Sequence, residues 1–525
     1  GMMTEIVRAR SALTNEFNDV HERTPYHFKR HAIQNCLYGV DIDPGAVEIA
    51  KLRLWLSLVV DEEDVKQIKP LPNLDYKIVT GNSLVGVEKT LFNERLFHQL
   101  ETLKPLYFDE SDSTKKASLR RQIDDLIHEI TNGKEIFDFE IYFSEVFHGK
   151  DGFDVVIQNP PYVQIKGIPP SDRRLYEERY EFATGRFNLF YLFIERCKLL
   201  PRKCGVSSFI IPDRLLLNTQ CKAIRAWLLN ENSICELVSF EDQVFETAVV
   251  DSILLSFQRE QRKSEFVRAR RKVSQRDVQK TQPITIPVSY FQLSPSAQFD
   301  LNYTAAKHEL LKRMASGGVQ LGLISDTKDG IIQSKIGDLL FLTKRANADC
   351  RKMLVGEDVT RYGITYAGRW VNYQPDDMMK VERERGGGGL RLRERYIFER
   401  PKILTRQTAD EIIAAYDEDN IYYANTLHGT AVTDKAYHPH YVLGVLNSRI
   451  TTWYYRSNSD EEGKVFAQIK IELLRKLPIP KADKDRQKPV IQLVYRILAA
   501  KQRDAEADTS ALEREIDELV YALYG

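Results

Sequence analysis

The segment Phe153-Asp154-Val155-Val156-Ile157-Gln158-Asn159-Pro160-Pro161-Tyr162 limits the fold more than any other stretch of the chain. Its first half is a short apolar run rich in β-branched residues, which reads as a strand buried in a sheet. The run stops at a polar residue, and two prolines then keep the backbone from closing into a helix. Carbonyls at the strand end are thereby held in a set direction. The Asn159 side-chain oxygen and the Pro160 carbonyl become two placed acceptors, and Tyr162 offers a flat ring beside them. An exocyclic amine on a purine is a poor nucleophile because its lone pair is conjugated to the ring. Acceptors that hydrogen-bond both of its hydrogens bias it towards attack. The bland alternative is a turn that happens to hold two prolines.

The flanking sequence alternates strand and helix, which predicts a parallel sheet with helices on its faces. An apolar run at Cys36–Val40 stops at Asp41-Ile42-Asp43-Pro44, and a helix over Ala46–Val60 carries Val47, Ala50, Leu54 and Leu58 at helical spacing. A strand at Tyr76–Thr80 ends in Gly81-Asn82-Ser83. After the proline segment come a helix over Phe187–Leu200 and a strand over Val206–Ile211. Strands at Ile234–Phe240 and Val250–Phe257 are expected as the last two, paired like a hairpin around Phe245. Glu88–Lys134 breaks the rhythm. It is charged, with Leu119, Ile123, Leu126, Ile127 and Ile130 in heptad-like order, and reads as a helical insertion.

Open parallel sheets bind ligands at the carboxyl ends of their strands. Asp41 stands at such an end, where a carboxylate can accept from both hydroxyls of a ribose. Either acidic residue could instead cap the next helix. Asp43 reads as the cap and Asp41 as the ribose ligand. Asn82 is placed to contact the adenine of a nucleoside cofactor, although Asn at a strand end is commonly a turn residue.

At 525 residues the chain is too long for one ordinary core. The expected domains are 1–273, with 88–134 as the insertion, then 274–482, then a charged, helix-periodic segment 483–525. Beyond Ser274 short strands, glycines and tyrosines replace the regular alternation, and Gly386–Gly389 mark a flexible loop. No apolar run reaches bilayer length, and the N-terminus lacks a signal-peptide pattern. The six cysteines form no CxxC pair, so no metal site is expected and reduced thiols in the cytoplasm are the plain reading. Lys plus Arg equals Asp plus Glu, 75 each, so any nucleic-acid surface must come from segregated charge. Arg259–Arg276 and Lys380–Arg406 are the two arginine-rich stretches, and each reads equally well as a solvated face.

The order Gly39-Val40-Asp41-Ile42-Asp43-Pro44, Gly81-Asn82-Ser83-Leu84 and Asn159–Tyr162 resembles the amino-methyltransferases of type II and type IIG restriction–modification systems. The resemblance continues through Met353-Leu354-Val355-Gly356-Glu357-Asp358-Val359, Arg400-Pro401-Lys402-Ile403-Leu404, Tyr441–Ser448 and the stretch from Ile469-Lys470 to Pro480. These look like landmarks of the family's target recognition domain, and their order matches its gamma arrangement. The resemblance implies an S-adenosylmethionine-dependent methyltransferase sheet of Rossmann-like α/β type, followed by a mixed α/β recognition domain. It implies methyl transfer from S-adenosyl-L-methionine to the N6 amine of adenine in double-stranded DNA. Carried over, it assigns Asn159, Pro160, Pro161 and Tyr162 to catalysis and Asp41, Ile42, Asn82 and Phe193 to the cofactor. Phe245, in Gln243-Val244-Phe245, would stack on the other side of a flipped base. Phe193 also reads simply as a core residue.

One departure stands out. The family opens its methyltransferase with a strand and a Gly-rich turn that lets the backbone approach the methionine end of the cofactor. Nothing like it lies between Gly1 and Val40. The expectations are a sheet without its first strand, a start inside a larger gene, and a partner segment bearing that motif and an endonuclease. Among competing classes, a cytosine carbon-5 enzyme needs a Pro-Cys pair, which the chain lacks. Amine-directed cytosine enzymes remain, though Asn in the first motif position favours adenine. Protein-glutamine methyltransferases share the motif but have nothing like Ser274–Pro480. A DNA-binding specificity protein with an inactive catalytic half is the reading from a different class.

Overall fold

The computed structural model describes residues 1–16, 25–60, 70–86, 94–134, 136–245, 250–259, 263–459 and 468–525. It divides into two compact units, residues 1–213 with 226–285, and residues 214–225 with 286–525.

The first unit begins with helices α1 (Met2–Glu16) and α2 (Pro25–Asn35), strand β1 (Gly39–Asp41), helix α3 (Pro44–Val59) and strand β2 (Ile78–Thr80). Strand β1 starts three residues later than the apolar run Cys36–Val40 and reaches Asp41. Helix α3 starts where the sequence supplies both a cap and a first-turn proline: the Asp43 side chain accepts from the Gly45 N–H at 2.8 Å, and Pro44 follows the cap. The charged insertion is a pair of helices, α4 (Glu94–Asp109) and α5 (Ser113–Ile130). Leu100, Tyr107, Ile123, Ile127 and Ile130 bury one seam, and the Tyr76 hydroxyl donates to Asp124 at 2.6 Å, tying the insertion to the lead-in of β2. Helices α6 (Phe139–Tyr142) and α7 (Ser144–Lys150) lead to strand β3 (Phe153–Gln158).

Helices α8 (Pro170–Arg179) and α9 (Leu189–Arg196) follow, then strands β4 (Pro201–Pro212), β5 (Ser233–Phe240), β6 (Ser252–Gln258), β7 (Phe266–Val273) and β8 (Ile284–Pro287). They form a six-stranded sheet in the order β3-β4-β6-β5-β7-β8, with β3 at one edge. Strands β3 and β4 run parallel, and β6 lies antiparallel between β4 and β5. The expected β5–β6 pair is present, but these are not the last strands. Part of the basic stretch Arg259–Arg276 folds as β7, parallel to β5. Val267, Ala269 and Val273 are buried while Arg268 and Arg271 are exposed, and Arg270 pairs with Glu236. The two-residue period holds over Phe266–Arg270, hidden by arginines at the outward positions, and breaks at Arg271–Lys272, where Lys272 takes a positive φ and the pairing with β5 shifts register. Strands β1 and β2 form a separate two-stranded parallel sheet.

The second unit is mixed α/β. Ser325–Asp329, Leu427–Val432, Lys402–Arg406 and Ala414–Asp417 form an antiparallel sheet in that order. A smaller mixed sheet joins Phe341–Leu342, Trp370–Asn372, Cys350–Leu354 and Tyr422–Tyr423. Leu354, Phe398, Leu404 and Tyr422 meet in one core, where the Phe398 and Tyr422 rings stack at 4.4 Å. The helix Pro439–Leu446 is buried along nearly its whole length, against Lys484–Arg503 and Ser510–Tyr524. At Gly444 an added Cβ would lie 2.7 Å from Val490 Cγ1, so only glycine permits that approach. Among the described residues no helix is long and apolar enough to cross a membrane.

Candidate active site

Three strand ends carry the residues that the sequence singles out. At the end of β1 the two acidic residues have separate partners. Asp43 caps α3, as expected, and Asp41 accepts from the Asp43 backbone N–H through one oxygen at 2.9 Å. Its carboxylate otherwise faces solvent, beside an Ile42 side chain that is 70% exposed. An acceptor and an apolar side chain left open at a strand end suit the hydroxyls of a ribose and the face of a flat ring.

At the end of β2 the backbone passes Phe137 so closely that a Cβ on Gly81 would lie 2.3 Å from Phe137 Cβ. Asn82 then makes a turn, its side-chain oxygen accepting from the Leu84 N–H at 2.9 Å. Its amide donates to the Tyr176 hydroxyl at 3.5 Å. Helix α8 clasps the same turn elsewhere. The Tyr180 hydroxyl donates to the Leu84 carbonyl at 2.7 Å, and Arg179 donates to the Gly86 carbonyl at 2.8 Å. Asn82 therefore serves the turn, and its side chain is already occupied on both sides.

At the end of β3, Asn159 is exposed, Pro160 buried and Tyr162 half-buried. The Tyr162 hydroxyl is buried beside Ser252 at the start of β6. Burial raises its pKa above the ordinary phenol value, against a smaller opposing effect of Ser252, so the ring stays neutral. Just upstream, Gln158 donates to the Cys197 thiol at 3.4 Å, and burial pushes that thiol up to about 12. Cys197 is thus a packed, protonated cysteine, and all six cysteines are free. Among the described residues no cluster could hold a metal ion.

The chain after Tyr162 is pinned to the start of α9. The Ile165 N–H donates to the Phe187 carbonyl at 3.1 Å and the Leu189 N–H to the Val163 carbonyl at 2.9 Å. Asn188 caps α9 by accepting from the Phe190 N–H at 3.3 Å. On α9, Phe190, Tyr191, Leu192 and Ile194 are buried, but Phe193 is only half-buried. Phe245 is also half-buried, in the segment joining β5 to β6. Among the described residues neither Tyr162 nor Phe245 contacts another aromatic ring.

Sequence reasoning missed Tyr176, Tyr180 and Asn188. The signal for Asn188 was available, since Asn before an apolar run is an N-cap signature. The two tyrosines, four residues apart, were the only hint that α8 grips something.

Two family profiles match the chain. Residues 35–245 match the Eco57I restriction-modification methylase, and residues 351–479 match the TaqI-like C-terminal specificity domain. The chain pairs a restriction–modification methylase domain with a specificity domain. It is 27% identical over 602 residues to the putative type II restriction enzyme and methyltransferase RM.MjaORFECS2P of Methanocaldococcus jannaschii, covering 95% of this chain and 49% of the relative. It is 26% identical over 242 residues to the type II restriction enzyme and methyltransferase RM.Eco57I of Escherichia coli, covering 45% of this chain and 20% of the relative. The chain thus spans about half or less of these relatives. Among solved structures, the type IIL restriction-modification enzyme MmeI in complex with DNA aligns with a TM-score of 0.47 at 10% identity, over 95% of this chain and 71% of that one.

Within the specificity domain the motif landmarks are framework. Asp358 is buried, accepting from the Val355 N–H and from Arg369, each at 2.7 Å. Asn447 accepts from the Ala414 N–H and donates to the Ala414 carbonyl, both at 2.9 Å, as a neighbouring strand would. Lys402 and Asp417 form a fully buried ion pair at 2.5 Å. Four arginines of Lys380–Arg406 pair with acidic side chains of the chain: Arg393 with Asp329 and Arg400 with Asp326, partly buried, and Arg385 with Asp338 and Arg395 with Glu399, exposed. Arg383 and Arg391 are exposed on either side of Gly386–Gly389.

Proposed function

We propose that this chain transfers a methyl group from S-adenosyl-L-methionine to the exocyclic N6 amine of adenine in a specific double-stranded DNA sequence, within a restriction–modification system. The observation that carries the reading is the end of β3, where an exposed Asn159 sits on a proline-stiffened backbone and the hydroxyl of the half-buried Tyr162 is buried. The Asn159 oxygen and the Pro160 carbonyl accept the two amine hydrogens, so the nitrogen lone pair is drawn out of conjugation as attack begins. Tyr162 and Phe245 are the stacking faces for a base turned out of the duplex, recovering part of the stacking it loses.

The residues present fit the nucleoside half of the cofactor. Asp41 offers an exposed carboxylate for the ribose, Ile42 an exposed apolar surface for the adenine, and Phe193 a half-buried ring. Asn82 contributes through the backbone turn it builds, since its side chain is taken. The cofactor, when bound, supplies a methyl group activated by its sulfonium. Double-stranded DNA is the macromolecular partner. A segment outside residues 1–525, bearing the Gly-rich motif and an endonuclease, is the further one.

A second reading, a DNA-binding specificity chain without catalysis, is favoured by one observation: β1 and β3, whose ends carry Asp41 and Asn159, belong to different sheets. Titrating S-adenosyl-L-methionine into the purified chain by calorimetry separates the two. The methyltransferase reading expects weak, saturable binding that weakens at least about tenfold in Asp41→Ala. Intact duplex binding with no cofactor binding at millimolar concentration would select the second reading instead.

A further inference from the structure

In the second unit, the helix Pro375–Glu384 ends in a Schellman turn. The Gly387 N–H donates to the Glu382 carbonyl at 2.8 Å and the Gly386 N–H to the Arg383 carbonyl at 2.9 Å, with Gly386 at a φ of +65°. In such a turn the residues in the places of Glu382 and Gly387 commonly share an apolar contact. Here the contact is a carboxylate against bare backbone. Glu382 is 1% exposed, and neither of its carboxylate oxygens has a hydrogen-bond partner among the described residues. Gly387 lies on it so closely that a Cβ there would collide with Oε1.

A carboxylate shut away from water without a partner is strongly unfavourable. A leucine or methionine at 382 would fill the same contact without that penalty, so the carboxylate contributes nothing to the stability of the turn. Its cover is easily removed. Gly386–Gly389 have no side chains to unpack, and the next anchor along the chain is the backbone bridge between Arg391 and Ile332. Lifting the glycines would bring the carboxylate to the surface. Lys335, Arg383 and Arg391 stand exposed beside the loop, with no acidic partner among the described residues. The Lys335 ammonium lies 3.9 Å from where a Gly386 Cβ would be, yet it makes no ion pair with Glu382.

We infer that Glu382 reads a base of the DNA target: the glycine loop lifts as duplex DNA docks, and the carboxylate accepts a hydrogen bond from the N4 amine of a cytosine in the major groove. The inference rests on the proposed function in needing a double-stranded DNA target, and Glu382 lies within the matched specificity domain. Acceptors without a donor call for a ligand that donates, and the major groove offers donors only at cytosine N4 and adenine N6. Adenine sets its N7 acceptor beside the amine, which repels a carboxylate and suits an amide instead. Cytosine has no such acceptor beside its amine. The three cations hold phosphates nearby, which offsets the repulsion between the carboxylate and the DNA backbone.

The test is selection of bound duplexes from a pool with a randomised centre, followed by sequencing, without cofactor. The full chain is compared with Glu382→Gln, Glu382→Leu and Gly387→Ala, each checked for folding by urea denaturation. The parent is expected to select a motif that contains a cytosine. In Glu382→Gln the preference for cytosine at that one position should fall at least about tenfold and adenine should rise, because an amide pairs with N6 and N7 of adenine. Glu382→Leu should lose the choice at the same position yet unfold at a higher urea midpoint. The backbone at Gly387 is one that alanine adopts, so Gly387→Ala displaces only the carboxylate. That variant should bind duplex more tightly and keep the parent's motif, since the binding-competent form is already populated. A motif unchanged in Glu382→Gln, a loss of choice spread over all positions, or a lower urea midpoint for Glu382→Leu overturns the inference. So does weaker duplex binding by a folded Gly387→Ala chain. A parent that selects a motif shared by every variant leaves the proposed function standing without this inference. A parent that selects no motif removes the specific target on which both depend.

Discussion

Asp41 and Asp43 lie two residues apart at one strand end, and their carboxylates hold different partners. Asp43 caps α3, so Asp43→Ala should cost about 1 kcal/mol of stability in urea denaturation while leaving cofactor affinity unchanged. Asp41→Ala should do the opposite, since its carboxylate makes only one backbone contact. A variant pair that failed to separate in this way would remove Asp41 from the cofactor site. The cap was legible because Asp followed by Pro at a helix start has a local cause. The second partner of Asn82 was not. Tyr176 lies 94 residues away, and no local pattern announces a hydrogen bond of that span. The strand end before Asn159 was legible for the reason the Asp43 cap was: prolines act on their immediate neighbours.

Elements were read best where period and composition agreed. Strand β3 runs over Phe153–Gln158 as expected, and α3 ends within a residue of its expected limit. Strand β7 was lost because its outward positions are arginine, so a strand was taken for a charge run. The reverse holds for the landmark Arg400–Leu404, whose Lys402 reads as a surface residue but is buried against Asp417. Burial pushes the lysine pKa down and the aspartate pKa up, so each depends on the other to stay charged. Asp417→Ala should destabilise the protein by roughly 3–5 kcal/mol, whereas replacing both residues with apolar ones of similar volume should cost less than that single change. Denaturant titration of the two variants tests this, and equal losses would contradict it.

A second buried group at this scale is His440, at the start of the helix Pro439–Leu446, packed between Tyr416 and Tyr495 at 4.6 Å each. Burial, helped by His438, pushes its imidazole down to about 4. The unfolded chain therefore takes up the proton first as pH falls. Stability is full above the ordinary histidine value and is lost as pH drops from about 6.5 towards 4, by up to about 3 kcal/mol before solvent screening reduces it. His440→Phe should flatten that part of the pH–stability curve. A variant that tracks the parent from pH 7 to pH 4 would show that other groups set the slope.

For the whole molecule, zero net charge conceals how the charges are used. Arg393 and Arg400 of the second arginine-rich stretch are partly buried bracing, and Arg383, Arg385 and Arg391 face solvent near the glycine loop, Arg385 paired with Asp338. Duplex binding should still fall steeply with salt, but with fewer phosphate contacts than a count of arginines would give. The two-part order of catalytic and specificity regions was legible from motif order. The separation of β1 from β3 was visible only as a missing turn, because a sequence does not show which edges stay open.

The most direct test is where the methyl group goes. Tritiated S-adenosyl-L-methionine and mixed-sequence duplex DNA are incubated at length with stoichiometric chain, and the DNA is digested to nucleosides and separated. The expected result is slow incorporation into N6-methyldeoxyadenosine alone, reduced at least about a hundredfold in Asn159→Ala with duplex binding unchanged. Label in cytosine, an unaffected Asn159→Ala variant, or transfer at ordinary enzyme rates by residues 1–525 alone would contradict it.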